Sequence, residues 1–185
     1  VYASASATCG ANSGTPSGFT QIATNATGPI EFTTTNSGNP VAVAPTDLIG
    51  VCESANSSHA TRIRYYRGSI RATADSAGSQ RTINVVGVES YVRGVVPRES
   101  PASWGDIAGG LGLNALRAQA VAARSYSVSE ARYAYAKTCD TQDCQVYGGA
   151  ALRYVGSASF SALEDARSDR AVSETCLLYT SDAAD

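Results

Sequence analysis

An α+β fold, a small antiparallel β section followed by helices, is what this sequence predicts. Three observations carry the expectation. Between residues 20 and 86, short runs of alternating polar and apolar residues are separated by clusters of Gly, Pro, Asn and Ser, the pattern of brief strands and turns. At Gly87 the period changes, and Val88, Tyr91, Val92 and Val95 fall at helical spacing. Beyond Asn114 the chain turns Ala-rich, which favours helix by propensity. Strands first and helices after make an α+β arrangement.

The elements follow in order. Residues 1–19 are rich in Ser, Gly and Thr and read as a linker or loop. Residues 20–175 read as the domain. FTQIAT, PIEFTTT and PVAVA are short strand segments parted by NATG and NSGNP. IRYYRGSIRA, residues 63–72, and RTINVV, residues 81–86, continue in strand style with DSAGSQ as the turn between them. Residues 88–96 form a helix with Glu89 in its first turn, where the dipole favours an acid, and Gly94 and Pro97 stop it. Residues 97–112 are loop. Asn114 caps a helix from residue 115 to about 137. CDTQDCQVYGG, residues 139–149, is a tight loop, and residues 160–170 form a last, short amphipathic helix.

Composition narrows the function. Hydrophobic residues make up 43% of 185, enough for one core. Lys+Arg 14 against Asp+Glu 16 leaves a net charge of −2, which excludes the basic surface that a nucleic-acid binder needs. No apolar run approaches the roughly 18–20 residues of a membrane span. The chain opens at Val1 without Met, so a membrane connection is expected only through a segment upstream. Small polar residues replace Lys, which occurs once, at Lys137, and five cysteines stand at 9, 52, 139, 144 and 176. Both features point to an exported protein. The last ten residues, CLLYTSDAAD, break the style of the rest and resemble a translated sequencing-adapter end. Residues 176–185 are therefore set aside as a non-native tail. Four cysteines remain, and the native chain is expected to continue past Thr175.

The chemistry centres on Glu99. It follows Pro97 and precedes Pro101, so its backbone is stiff on both sides. Trp104 lies five residues on, and an aromatic packed beside a carboxyl disfavours its charged form, as a general acid requires. A solvated loop glutamate is the plainer alternative. Arg117, Gln119 and Arg124 lie on the Ala-rich helix, and the two arginines, seven apart, share a face. They either hold a polar substrate or form a solvated face. Tyr126 and Tyr147 are among the tyrosines able to stack on a sugar ring or to fill the core. Cys139 and Cys144 admit a short disulfide, a metal site or free thiols. Only Asp140 or Asp143 adds a nearby third ligand, and His59 is distant in sequence, so the disulfide is preferred to zinc. Cys9 and Cys52 are either bridged, tying down the N-terminal loop, or buried as thiols.

Three blocks in this order, VESYVRGVVPRESPASWG, ALRAQAVAARSY and CDTQDCQVYGG, resemble the stage II sporulation protein D family, in its secreted actinobacterial branch. The resemblance covers residues 63–175. It implies a lytic transglycosylase of peptidoglycan that cleaves glycan strands already stripped of stem peptides, beside a cell-wall amidase, leaving 1,6-anhydro-muramoyl ends. It implies that Glu99 is the acid and base, with Arg117, Gln119, Arg124, Tyr126 and Tyr147 in or behind the groove. It implies no cofactor beyond the zinc that some members hold through two cysteines and a histidine. Cys139 and Cys144 match those cysteines, but Asp143 stands in the histidine's place. Ser100 replaces the Met that many members carry after the glutamate. The family runs on past the position of Thr175 with groove-lining strands, so this piece is not expected to be active alone. A non-catalytic wall-binding or amidase-modifying module is the alternative function.

Overall fold

A computed structural model describes residues 2–3, 9, 20–21, 28–34, 47–56 and 59–182. PVAVA lies outside these residues. The expected α+β mix is present, and it divides into two compact units.

The first unit is built from residues 1–85 and 151–162, and strands make its sheets among the described residues. β1 (Tyr2–Ala3) pairs with β2 (Thr20–Gln21). β3 (Ile30–Phe32), β6 (Ser69–Ala74) and β7 (Gln80–Val85) form a three-stranded antiparallel sheet in the order β3-β6-β7. β4 (Ile49–Asn56), β5 (His59–Tyr66), β8 (Ala151–Tyr154) and β9 (Ser161–Ala162) form a four-stranded sheet in that order. Ile63 and Tyr65 are buried, and Tyr65 meets Phe160 edge-on at 5.1 Å.

The turn read at DSAGSQ is there, and its chemistry is explicit. Asp75 Oδ1 accepts the N–H groups of Ala77 and Ser79, while Oδ2 takes the Arg81 guanidinium at 2.6 Å. The run 63–72, expected as one segment, breaks at Arg67 and Gly68. Gly68 takes a positive φ of 74°, open to glycine and costly for other residues. The Asn84 amide then ties the break by donating to the carbonyls of Arg67 and Ser69. Strand β4 is not among the expected segments, because IGVCESAN has little β-branched patterning. Cross-strand pairing holds it instead: Glu53 accepts Arg62 at 2.9 Å, Arg64 at 2.7 Å and the Tyr66 hydroxyl at 3.2 Å.

The second unit, residues 86–150 and 163–185, carries the helices. α1 (Val88–Glu99) buries Tyr91, Val92, Gly94, Val95 and Val96. α2 (Leu113–Ser129) buries Leu113, Leu116, Ala120, Ala123, Arg124 and Ser127. α3 (Ala166–Asp182) adds Ala171 and Val172 to the same core. Small residues on α2 let its neighbours approach closely. Between α1 and α2 a 3-10 segment, Ala102–Gly110, kinks at Ile107, Ala108 and Gly109 and leaves Trp104, Ile107 and Leu111 exposed beside it.

Three boundaries differ from expectation. Pro97 lies inside α1, which runs to Glu99. Proline so near a helix end forfeits little beyond one hydrogen bond, and Pro101 acts as the stop by forcing Ser100 into extended backbone, φ −137°. α2 ends at Ser129, not near residue 137, and Gly112 takes the cap position expected of Asn114. There Ser127 and Ser129 turn their hydroxyls onto the carbonyls of Arg124 and Tyr126, a local competitor of helix. The last helix starts at Ala166, after β9, rather than spanning 160–170; Asp165 receives the Arg167 N–H at 2.9 Å and opens it.

Candidate functional site

Glu99 is the last residue of α1, and it is exposed. Its Oε1 accepts the Val146 N–H at 2.7 Å, and Oε2 has no partner among the described residues. The carboxyl is therefore oriented on one side and open on the other. Trp104, expected to shield the carboxyl, is itself 41% exposed.

The donor arrives on residues 144–150, a strap without regular hydrogen bonding that lies along α1. Tyr91, Gly94 and Arg98 recur at three and four residues and so share one face of that helix. Each of them meets the strap. The Tyr91 hydroxyl donates to Gln145 Oε1 at 3.3 Å, and its ring lies 4.9 Å from that of Tyr147. At Gly94 a Cβ would stand 2.5 Å from Tyr147 Cε2, so only glycine admits the ring. The Gly94 carbonyl accepts the Gly148 N–H at 3.0 Å, and Arg98 packs against Gly148 where a Cβ would stand 2.6 Å from Nε. Burial pushes the Tyr91 phenol up to about 12, with the carboxylates of Glu99 and Asp140 adding to the effect. Tyr91 thus stays a neutral hydrogen-bond donor beside the carboxyl.

Cys139 and Cys144 form a disulfide with Cα atoms 5.6 Å apart, at the head of the strap, and Cys9 is bridged to Cys52. A bridged pair has no thiolate to offer a metal.

The remaining sequence candidates divide. Tyr147 is buried beneath the site, and half-buried Tyr126 is near enough to act on the ionisation of Tyr91. Arg117 goes to α3, where it binds Glu174, with Asn114 Oδ1 at 2.6 Å as a second acceptor. Gln119 is half-buried on α2. Arg124, only 1% exposed, donates to both carboxylate oxygens of Glu89 at 2.7 and 2.8 Å, and to Thr175 Oγ1 and the carbonyls of Val172 and Ala120. That side chain fastens three helices together. The face shared by the two arginines turns toward α3. Sequence reasoning passed over Gln145 and the Val146 N–H. A backbone donor has no residue-type signature, and the block QVYGG was the one available pointer.

A family described as Stage II sporulation protein matches residues 76–178. The amidase enhancer of Bacillus subtilis (strain 168) is 45% identical over 58 residues, 31% of this chain. The chain spans 7% of the length of that relative. No solved structure matches. Glu99, the α1 face and the disulfide-headed strap all lie within the matched residues, and the chain belongs to the stage II sporulation protein family.

Proposed function

We propose that the protein is a peptidoglycan lytic transglycosylase, with Glu99 supplying both proton transfers. The observation that carries this is the Glu99 carboxyl itself, exposed, held through Oε1 by Val146, and open at Oε2. A fixed carboxyl with one free oxygen can reach a glycosidic oxygen. The protonated acid gives its proton to that oxygen as the C1–O bond breaks. The carboxylate then takes the proton of the muramoyl 6-hydroxyl as that oxygen bonds C1, closing the 1,6-anhydro ring and restoring the acid. Water does not enter, so the second carboxylate of an ordinary glycosidase is not required. No cofactor takes part.

The substrate is glycan stripped of its stem peptides, and a cell-wall amidase that strips it is the natural partner. Two disulfides fit an oxidising, exported setting. Among the described residues no helix is long and apolar enough to cross a membrane. The relative's name, amidase enhancer, favours a second reading in which the domain modifies an amidase without cutting glycan.

The test is to incubate the full-length protein and its Glu99→Gln variant with denuded glycan strands and to look for anhydro-sugar ends by mass spectrometry. The wild type gives them and the variant does not. Retained glycan binding with no anhydro product from the wild type would overturn the reading in favour of the amidase modifier.

A further inference from the structure

Glu99 owes its orientation to a backbone N–H in a stretch that belongs to no helix or sheet. Something else has to hold Val146 in place. On its far side the strap is fixed by packing: Tyr147 fills the space over Gly94, and the Gly148 N–H bonds the Gly94 carbonyl at 3.0 Å. On its near side the ties include the long Tyr91 to Gln145 hydrogen bond of 3.3 Å, the Arg132 guanidinium donating to the Asp143 carbonyl at 3.1 Å, and the Cys139–Cys144 disulfide. The disulfide closes a short ring, within which the Cys144 N–H bonds the Thr141 carbonyl at 3.0 Å, and from outside it the Tyr147 N–H reaches the Asp140 carbonyl at 3.3 Å. Residues 140–143 inside that ring are exposed, so a small thiol has access to it.

The geometry points to the Cys139–Cys144 disulfide as the positioning device for Glu99. It sets Val146 two residues downstream, and a dithiol that opens it frees the carboxyl and silences the site. This rests on the proposed role of Glu99. The chemistry balances: thiolate attack passes through a mixed disulfide, the dithiol leaves as its own cyclic disulfide, and Cys139 and Cys144 end as two thiols having gained two electrons and two protons. Without the bridge, residues 139–144 regain loop freedom and the Val146 N–H no longer stays aimed at Oε1.

The experiment uses the full chain with Cys9→Ser, Cys52→Ser and Cys176→Ser, so that one disulfide remains. Amide hydrogen exchange at Val146 is followed by NMR, oxidised and then in excess dithiothreitol. Glu99→Ala, which removes the acceptor, gives the reference for a released Val146. Reduction is expected to speed Val146 exchange at least tenfold, to the rate seen in Glu99→Ala, while Ala120 and Val95 in the helical core keep theirs. Val146 exchange unchanged by reduction would overturn the proposal. So would Val146 and Ala120 speeding together, since the bridge would then only hold the fold. With the full-length protein and denuded glycan as substrate, reduction lowers kcat at least tenfold, leaves KM within twofold, and reoxidation restores the rate. Equal turnover in both states also overturns it. No anhydro product in either state sinks the acid/base role of Glu99, while the exchange result still decides the positioning on its own.

Discussion

Arg124 and Glu89 offer the sharpest stability test, because their two deletions should be unequal. Arg124 is 1% exposed, whereas the Glu89 side chain is 37% exposed. Glu89→Gln takes the counter-charge from a guanidinium that stays buried. Losing one partner of a buried pair costs about 3–5 kcal/mol. Water reaches the Glu89 side of this pair, so screening lowers the figure to about 2–3 kcal/mol. Arg124→Met removes the buried charge instead, and Glu89 can turn to water. Of the other acceptors, the Val172 carbonyl still receives the Thr175 hydroxyl at 3.2 Å; Thr175 Oγ1 loses the Arg124 donor but still donates to the Ala171 carbonyl at 2.9 Å. An apolar replacement of a buried ion pair is close to neutral, so the expected change is within about 1 kcal/mol. The assay is urea unfolding followed by far-UV circular dichroism. Glu89→Gln should lower the midpoint by about 1 M, and adding Arg124→Met to it should recover most of that loss. An Arg124→Met loss as large as that of Glu89→Gln would refute the reasoning, since the pair would then be a net source of stability rather than a fastener that is costly to half-remove.

Other expectations follow from single sites. Gly94→Ala should destabilise by about 1–3 kcal/mol through overpacking against Tyr147, opposite in sign to the usual gain of alanine in a helix; a raised melting temperature would contradict the packing. For Glu53, burial pulls the pKa upward, but Arg64 and Arg62 more than offset it and hold it below its ordinary 4.5. A depressed carboxyl adds stability above its unfolded value that is lost as pH falls through the folded one, so unfolding free energy should drop below about pH 4.5, and Glu53→Gln should flatten that acid limb. Tyr91, raised by burial to about 12, works at the other end: its contribution is complete below about pH 10 and fades as pH climbs toward 12. An ultraviolet titration should show a late-ionising component that shrinks by one tyrosine in Tyr91→Phe.

The helical face of α1 and the Asp75 turn were legible because each is written in local residue types. The Val88, Tyr91, Val92, Val95 spacing marks one apolar face, and Asp, Gly and Ser at 75–79 specify a turn that satisfies itself. What stayed hidden depends on distant partners. β4 is held by Glu53 reaching arginines on the next strand. β8 exists because β5 offers it an edge. The end of α2 falls where two serine hydroxyls bond carbonyls three residues back, against the propensity of the alanines that follow. Glu99 was legible as a residue and not as a setting: two flanking prolines suggested a stiff loop, but only Pro101 ends the helix. Its hydrogen-bond donor is a main-chain group, to which the identity of Val146 contributes nothing. Arg117 and Arg124 share a face as their spacing requires, and no spacing could say that the face belongs to Glu174 and Thr175.

The four-stranded sheet imposes an order of events on the chain. Arg62 of β5 pairs with Tyr154 of β8, and everything that makes the helical core except α3 lies between them in sequence. As the polypeptide leaves the ribosome, β4 and β5 can close on each other at once, but β5 keeps a bare edge until α1, α2 and the cysteine loop have all been synthesised. Such long-range pairing is slow to form and leaves a strand exposed to wrong partners meanwhile. Neither unit is one continuous stretch, so no single cut releases either whole. Ending the polypeptide after Val85 would strip β8 and β9 from their sheet, and starting it at Val86 would supply those two strands with nothing to join.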